Sequence, residues 1–186
     1  MKKILSAIMI IFIAVMFTAC STETSFKSET SVSISTNKVQ DLMAEGDKNF
    51  DAGKFDEAIK NYTEAIETDK DFPDAYNSRG VAYCSKGEFD KAIKDFDEAI
   101  KLAPTAAMPY CNRGQAYSDK DDINKALPDL NKAIELDPNY ADAYNNLGVL
   151  YSKTGDNDKA IKNFKKALEI DPNHKNAANN LAKISK

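Results

Sequence analysis

The sequence predicts an all-α chain, an α-α superhelix in which antiparallel helix pairs stack side by side into a solenoid. Three observations predict it. Four consecutive segments of 34 residues (39–72, 73–106, 107–140 and 141–174) carry the same residue types at the same places, with no insertion between them. Each segment divides into two stretches of helical length around a short break, as in 74–86 and 89–102 either side of Lys86-Gly87-Glu88. Pro104, Pro138 and Pro172 recur near the segment ends, with Lys70 at that place in the first segment. A proline there stops the second helix, because it has no N–H to continue the hydrogen-bond series.

In chain order, the first element is an address. Met1 to Lys3 are positive at the start, Ile4 to Phe17 form an apolar run interrupted only by Ser6, and Phe17-Thr18-Ala19-Cys20 closes it. This pattern predicts a secretory signal peptide over residues 1–19. A membrane-spanning helix needs ~20 apolar residues, and here Ser/Thr-rich sequence with Glu23, Lys27 and Glu29 follows directly. The closing residues resemble the lipobox of bacterial lipoproteins, in which a small residue, here Ala19, precedes the modified cysteine, here Cys20. Phe17 stands where that motif usually has leucine. The resemblance implies a diacylglyceryl group on Cys20, cleavage before it, and a mature chain anchored in the bacterial cell envelope on the extracytoplasmic side of a membrane. Two acyl chains anchor stably, since each buried methylene contributes ~0.8 kcal/mol. Residues 20–38 are then a lipidated N-terminus and linker. With only Phe26, Val32 and Ile34 as large apolar side chains, the linker has too little surface to bury for an ordered fold, and is expected to be flexible.

Within each repeat the eighth position is Gly46, Gly80, Gly114 and Gly148, the twentieth Ala58, Ala92, Ala126 and Ala160, and the twenty-seventh Ala65, Ala99, Ala133 and Ala167. The fourth is Leu42, Tyr76, Tyr110 and Tyr144, the eleventh Asn49, Tyr83, Tyr117 and Tyr151, and the twenty-fourth Tyr62, Phe96, Leu130 and Phe164. This pattern resembles the tetratricopeptide repeat, with its aromatic, L-G, Y, A, F and P over 34 residues. Elementary packing agrees. Glycine and alanine remove bulk where two helices cross, and the large residues fill the grooves beside and between repeats. A lone pair has one uncovered face, so stacking of at least three repeats is needed to bury a continuous core. Residues 175–186 place Leu181 and Ala182 where Leu147 and Gly148 stand one repeat earlier, and are expected to form a capping helix. Pro128 falls about five residues into the second helix of the third repeat, which predicts a kink or a late helix start.

Composition narrows the function. Lys and Arg number 25 against 29 acids, and loss of Lys2 and Lys3 with the signal leaves 23 against 29. Only Arg79 and Arg113 are arginines, so the chain offers no basic stripe and nucleic acid is not an expected partner. His174 is the single histidine, no Cys-His or Ser-His pairing is visible, and the acids are spread over helix faces. An enzyme is therefore not expected, nor is a metal site or any cofactor. Cys84 and Cys111 lie on neighbouring first helices but seven residues apart in register, or ~10 Å along the axis, beyond a disulfide's span. Two free, at least partly buried thiols are expected.

In the resembled family the first helices line a concave groove and the second helices form the convex back. The fifth and sixth positions of the first helices carry Asn77, Asn112, Asn145, Asn146, Asn179 and Asn180, so asparagine recurs along one face. A primary amide both donates and accepts, and a row of them suits the backbone of an extended peptide. It resembles the asparagine-lined groove of other superhelical repeat proteins. Amides solvated, or bonded to local backbone, account for the same row. The carboxylate clamp of chaperone-tail receptors needs basic groups that are absent at the matching places, where Asp47, Asp74 and Asp142 stand instead. The expected function is a membrane-tethered scaffold, monomeric, that binds a protein or peptide in the groove. Lipoproteins with this repeat resemble envelope assembly factors. The alternative is a structural module that associates with itself, which the lysines of the cap disfavour as end-to-end stacking.

Overall fold

The computed structural model describes residues 37–185, and among them every element is helical. The expected signal peptide and linker, Cys20 included, lie outside the described residues, apart from 37 and 38, which already belong to the first helix. That helix, α1, covers residues 37–51. It is followed by α2 (Phe55–Thr68), α3 (Pro73–Ser85), α4 (Phe89–Leu102), α5 (Ala107–Asp119), α6 (Ile123–Leu136), α7 (Ala141–Lys153), α8 (Asn157–Ile170) and α9 (Lys175–Ile184). Successive helices pack along the whole series, and α3, α5, α7 and α9 also touch one another in order, whereas α4, α6 and α8 do not. Helices that converge line the inside of a curved stack. The odd-numbered helices therefore form the concave face and the even-numbered ones the convex back.

The short residues act as expected. A Cβ on Gly80 would stand 2.6 Å from Phe96 Cε1, and one on Gly148 2.6 Å from Phe164 Cε1. The ring of the second helix thus lies directly on the glycine of its partner helix in the second and fourth repeats. Ala58, Ala92, Ala126 and Ala160 are fully buried at the same crossings. The two helices of a repeat are joined by one turn, repeated four times. The N–H of Lys54, Glu88, Asp122 and Asp156 bonds the carbonyl of Asn49, Tyr83, Tyr117 and Tyr151 at 2.8 to 2.9 Å. This six-residue closure of a helix end requires a left-handed residue inside it. Gly53, Gly87 and Gly155 supply it, and Asp121 takes the same conformation in the third repeat with φ 58°.

Of the kink or late helix start expected at Pro128, the late start is not found. Helix α6 begins at Ile123 and has the same 14 residues as α4 and α8. Asp122 caps its N-terminus by accepting from Lys125 N–H. Pro128 is exposed, as is Asn124, the residue whose carbonyl loses its intrahelical bond. The ring then has solvent rather than a packed neighbour to occupy.

Candidate functional site

Five of the six asparagines predicted to line the groove come together. Asn112, Asn145, Asn146, Asn179 and Asn180 border one polar cleft of about 470 Å³ on the concave side of α5, α7 and α9. Asn77 sits one repeat earlier, outside that cleft. They form an internal ladder with a constant stride of 35 residues. Asn112 Nδ2 donates to Asn77 Oδ1 at 2.9 Å, Asn146 Nδ2 to Cys111 Sγ at 3.4 Å, and Asn180 Nδ2 to Asn145 Oδ1 at 3.0 Å. Each rung ties the sixth position of one repeat to the fifth position of the repeat before. Asn77 and Asn145, at 8% and 6% exposure, are the buried acceptors, and buried amides without such a partner would be costly. The rungs thus join neighbouring repeats, while Asn145 Nδ2 donates within its own helix to Asn146 Oδ1 at 3.2 Å. Asn112, Asn146 and Asn180 stay half-exposed and Asn179 exposed, so part of each amide faces the cleft.

One buried group in this cleft lacks a partner. Ser118 borders it and is buried, yet its Oγ makes no hydrogen bond among the described residues. Leaving a buried hydroxyl unbonded costs roughly 1–3 kcal/mol. Burial also pushes the Asp119 carboxyl beside it upward in pKa, with Lys153 opposing and Asp121 adding to the shift. At the other edge Asp142 Oδ1 accepts from His174 Nε2 at 3.0 Å, while His174 Nδ1 accepts from the Ala177 N–H at 3.3 Å. The ring therefore carries its proton on Nε2, caps α9 and ties it to α7. Sequence reasoning places His174 only in a repeat junction. Its use as an N-cap has no signal beyond the position itself.

Cys111 is buried and Cys84 partly so, both as free thiols. Burial pushes each up to about 12. A thiol held protonated is a poor nucleophile, so neither offers acyl- or group-transfer chemistry. Cys20, the expected lipidation site, falls outside the described residues.

The sequence reading overlooks what the two arginines do. Arg79 Nε and Nη2 grip Asp95 at 2.8 and 2.7 Å, and Arg113 grips Asp129 at 2.7 Å through both atoms. Their third nitrogen reaches back to the preceding second helix, from Arg79 to Thr63 Oγ1 at 3.1 Å and from Arg113 to Asp97 at 2.6 Å. Hydrogen bonding to Asp95 and Asp129 holds both guanidinium groups well above their ordinary pKa. The forks are spent inside the solenoid, between the convex helices. The signal is present: arginine at the seventh position and aspartate at the twenty-third occur together in the second and third repeats, with Leu147 and Asn163 in the fourth.

The tetratricopeptide repeat pattern matches residues 73–106 and 141–174, and the related TPR repeat pattern matches 46–86 and 117–155. The crystal structure of MamA is similar at 32% identity, covering 75% of this chain and 81% of that one, with a TM-score of 0.62. The chain belongs to the tetratricopeptide-repeat family. Among structures that show the fold alone are a thermophilic TPR protein from Thermus thermophilus, at 21% identity and TM-score 0.73 over 78% of this chain and 80% of that chain, and Pseudomonas aeruginosa pilF, at 20% identity and TM-score 0.73 over 81% and 68%. No curated protein sequence matches significantly. TPR solenoids serve as protein-interaction modules, and 409 solved chains resemble this one, so fold alone selects no partner.

Proposed function

We propose that this TPR protein is a monomeric, membrane-tethered scaffold, held by a lipid on Cys20, whose concave cleft receives an extended segment of a partner protein in envelope assembly. The observation that carries the groove reading is the cleft between α5, α7 and α9. It presents half-exposed amides, and a peptide backbone supplies the donors and acceptors to pair with them. The tether rests on the lipobox resemblance at Ala19-Cys20.

The test is affinity capture of the native chain from crosslinked membranes, compared with a variant carrying Asn112→Ala, Asn146→Ala and Asn180→Ala, followed by mass spectrometry. Each lost rung costs about 0.5–1.5 kcal/mol of stability, so the variant's helical circular dichroism is checked first. A specific protein lost from a folded variant supports the reading and names the partner; an identical capture sinks it. A Cys20→Ser chain is expected to leave the membrane fraction.

A further inference from the structure

The back of the last repeat differs from the backs of the two repeats before it. In the second and third repeats the groove between consecutive convex helices is plugged by Arg79 on Asp95 and Arg113 on Asp129. In the fourth, Leu147 and Asn163 take those places, and no side chain bridges them. The result is an open cleft of about 570 Å³, floored by Tyr144, Leu147 and Tyr151 of α7 and walled by the lysines of α8. Charge changes in step. Helix α2 carries four acids and one lysine, whereas α8 carries two acids and four lysines. Lys159 is paired with Asp156 at 2.6 Å and stacks over Tyr151 at 5.1 Å, and Lys166 is paired with Glu169 at 2.8 Å. Lys162 and Lys165 are exposed and in no ion pair among the described residues, although both border the cleft.

We propose that this convex cleft is a second docking site, and that its occupant is an acidic segment of a partner protein carrying one large apolar side chain. The apolar side chain lies on Leu147 between the two tyrosines, and the flanking carboxylates meet Lys162 and Lys165. Complementary charge across such a rim sets partner choice and association rate, and the aromatic floor supplies the anchor that a flat charged surface lacks. A bilayer of anionic lipid fits less well. The apolar floor is recessed, and Lys183 of α9 borders the concave cleft instead, so the C-terminal lysines do not share one plane.

The experiment uses the full chain in detergent micelles and a fluorescein-labelled peptide, Glu-Asp-Glu-Phe-Glu-Asp-Glu, read by anisotropy. Binding that weakens with salt is expected, together with a loss of about tenfold or more in the variant carrying Lys162→Glu and Lys165→Glu. A second variant, Leu147→Arg with Asn163→Asp, installs the pair of the second and third repeats. It should close the cleft with a similar loss and an unchanged helical signal. The Asn112/Asn146/Asn180 triple alanine variant should bind the probe like the native chain, which separates this site from the concave one. Equal probe binding by all variants, or no binding, overturns the proposal. So does lysine-dependent binding to phosphatidylserine-containing vesicles in the absence of peptide binding, which would assign the face to a membrane.

Discussion

Replacing Asp129 by Asn tests whether the arginine forks stabilise the stack or only decorate it. The substitution keeps shape but removes the charge facing Arg113, turning two bonds of 2.7 Å between opposite charges into at best one bond to a neutral amide oxygen. The pair is largely buried, with side-chain exposures of 20% and 10%. Breaking a fully buried pair by losing one partner costs about 3–5 kcal/mol. Arg113 keeps Asp97, whose side chain is half-exposed, so the expected cost is lower, about 2 kcal/mol. The fourth repeat has solved the same position without charge, using Leu147 and Asn163. The double variant Arg113→Leu with Asp129→Asn is therefore expected to lose less than the sum of the single changes, with a coupling energy of about 1.5 kcal/mol. Urea unfolding of native, single and double variants, followed by far-ultraviolet circular dichroism, closes the cycle. A single-variant cost below about 0.5 kcal/mol, or strictly additive effects, would refute the reasoning, because it would show the pair to be worth no more than an exposed one.

Two further outcomes follow from the packing. Gly80→Ala should destabilise despite alanine's better helix propensity, by about 1–3 kcal/mol, because the new Cβ meets Phe96 Cε1 at 2.6 Å; a neutral or raised urea midpoint would show that the ring moves aside. In a Cys20→Ser chain, Cys84 and Cys111, pushed up to about 12, should react with a maleimide at pH 8 about a thousandfold more slowly than a free thiol of pKa about 8.5. Because their folded pKa is raised, the folded state holds these protons more tightly than the unfolded one. Their stabilising contribution is complete below pH ~8.5 and falls as pH rises toward 12, so a stability that rises across that window contradicts the assignment.

The repeat frame is legible because its residues act locally. Gly80 and Phe96, or Gly148 and Phe164, meet within one helix pair, and 34-residue recurrence repeats the message four times. The late start, one of two outcomes expected at Pro128, fails because the general rule for helix interiors does not reach a position where the ring and the residue four before it, Asn124, are both exposed. The asparagine row is visible in the sequence, but its bonding is not. That Asn112 reaches Asn77 and Asn180 reaches Asn145 depends on how far each repeat is rotated against the last, and no spacing within one helix encodes that rotation.

By itself the sequence determined an all-helical solenoid of paired helices, where its turns fall, and which small residues sit at the crossings, since these follow from period, side-chain volume and the backbone freedom of glycine and proline. Only the tertiary structure decided which polar groups are consumed between repeats and which remain for a partner. The arginine forks close two convex grooves, Leu147 leaves the third open, and the asparagines divide between rungs and cleft. Hydrogen bonds and ion pairs between repeats depend on ångström distances across the stack, which side-chain identity alone does not set.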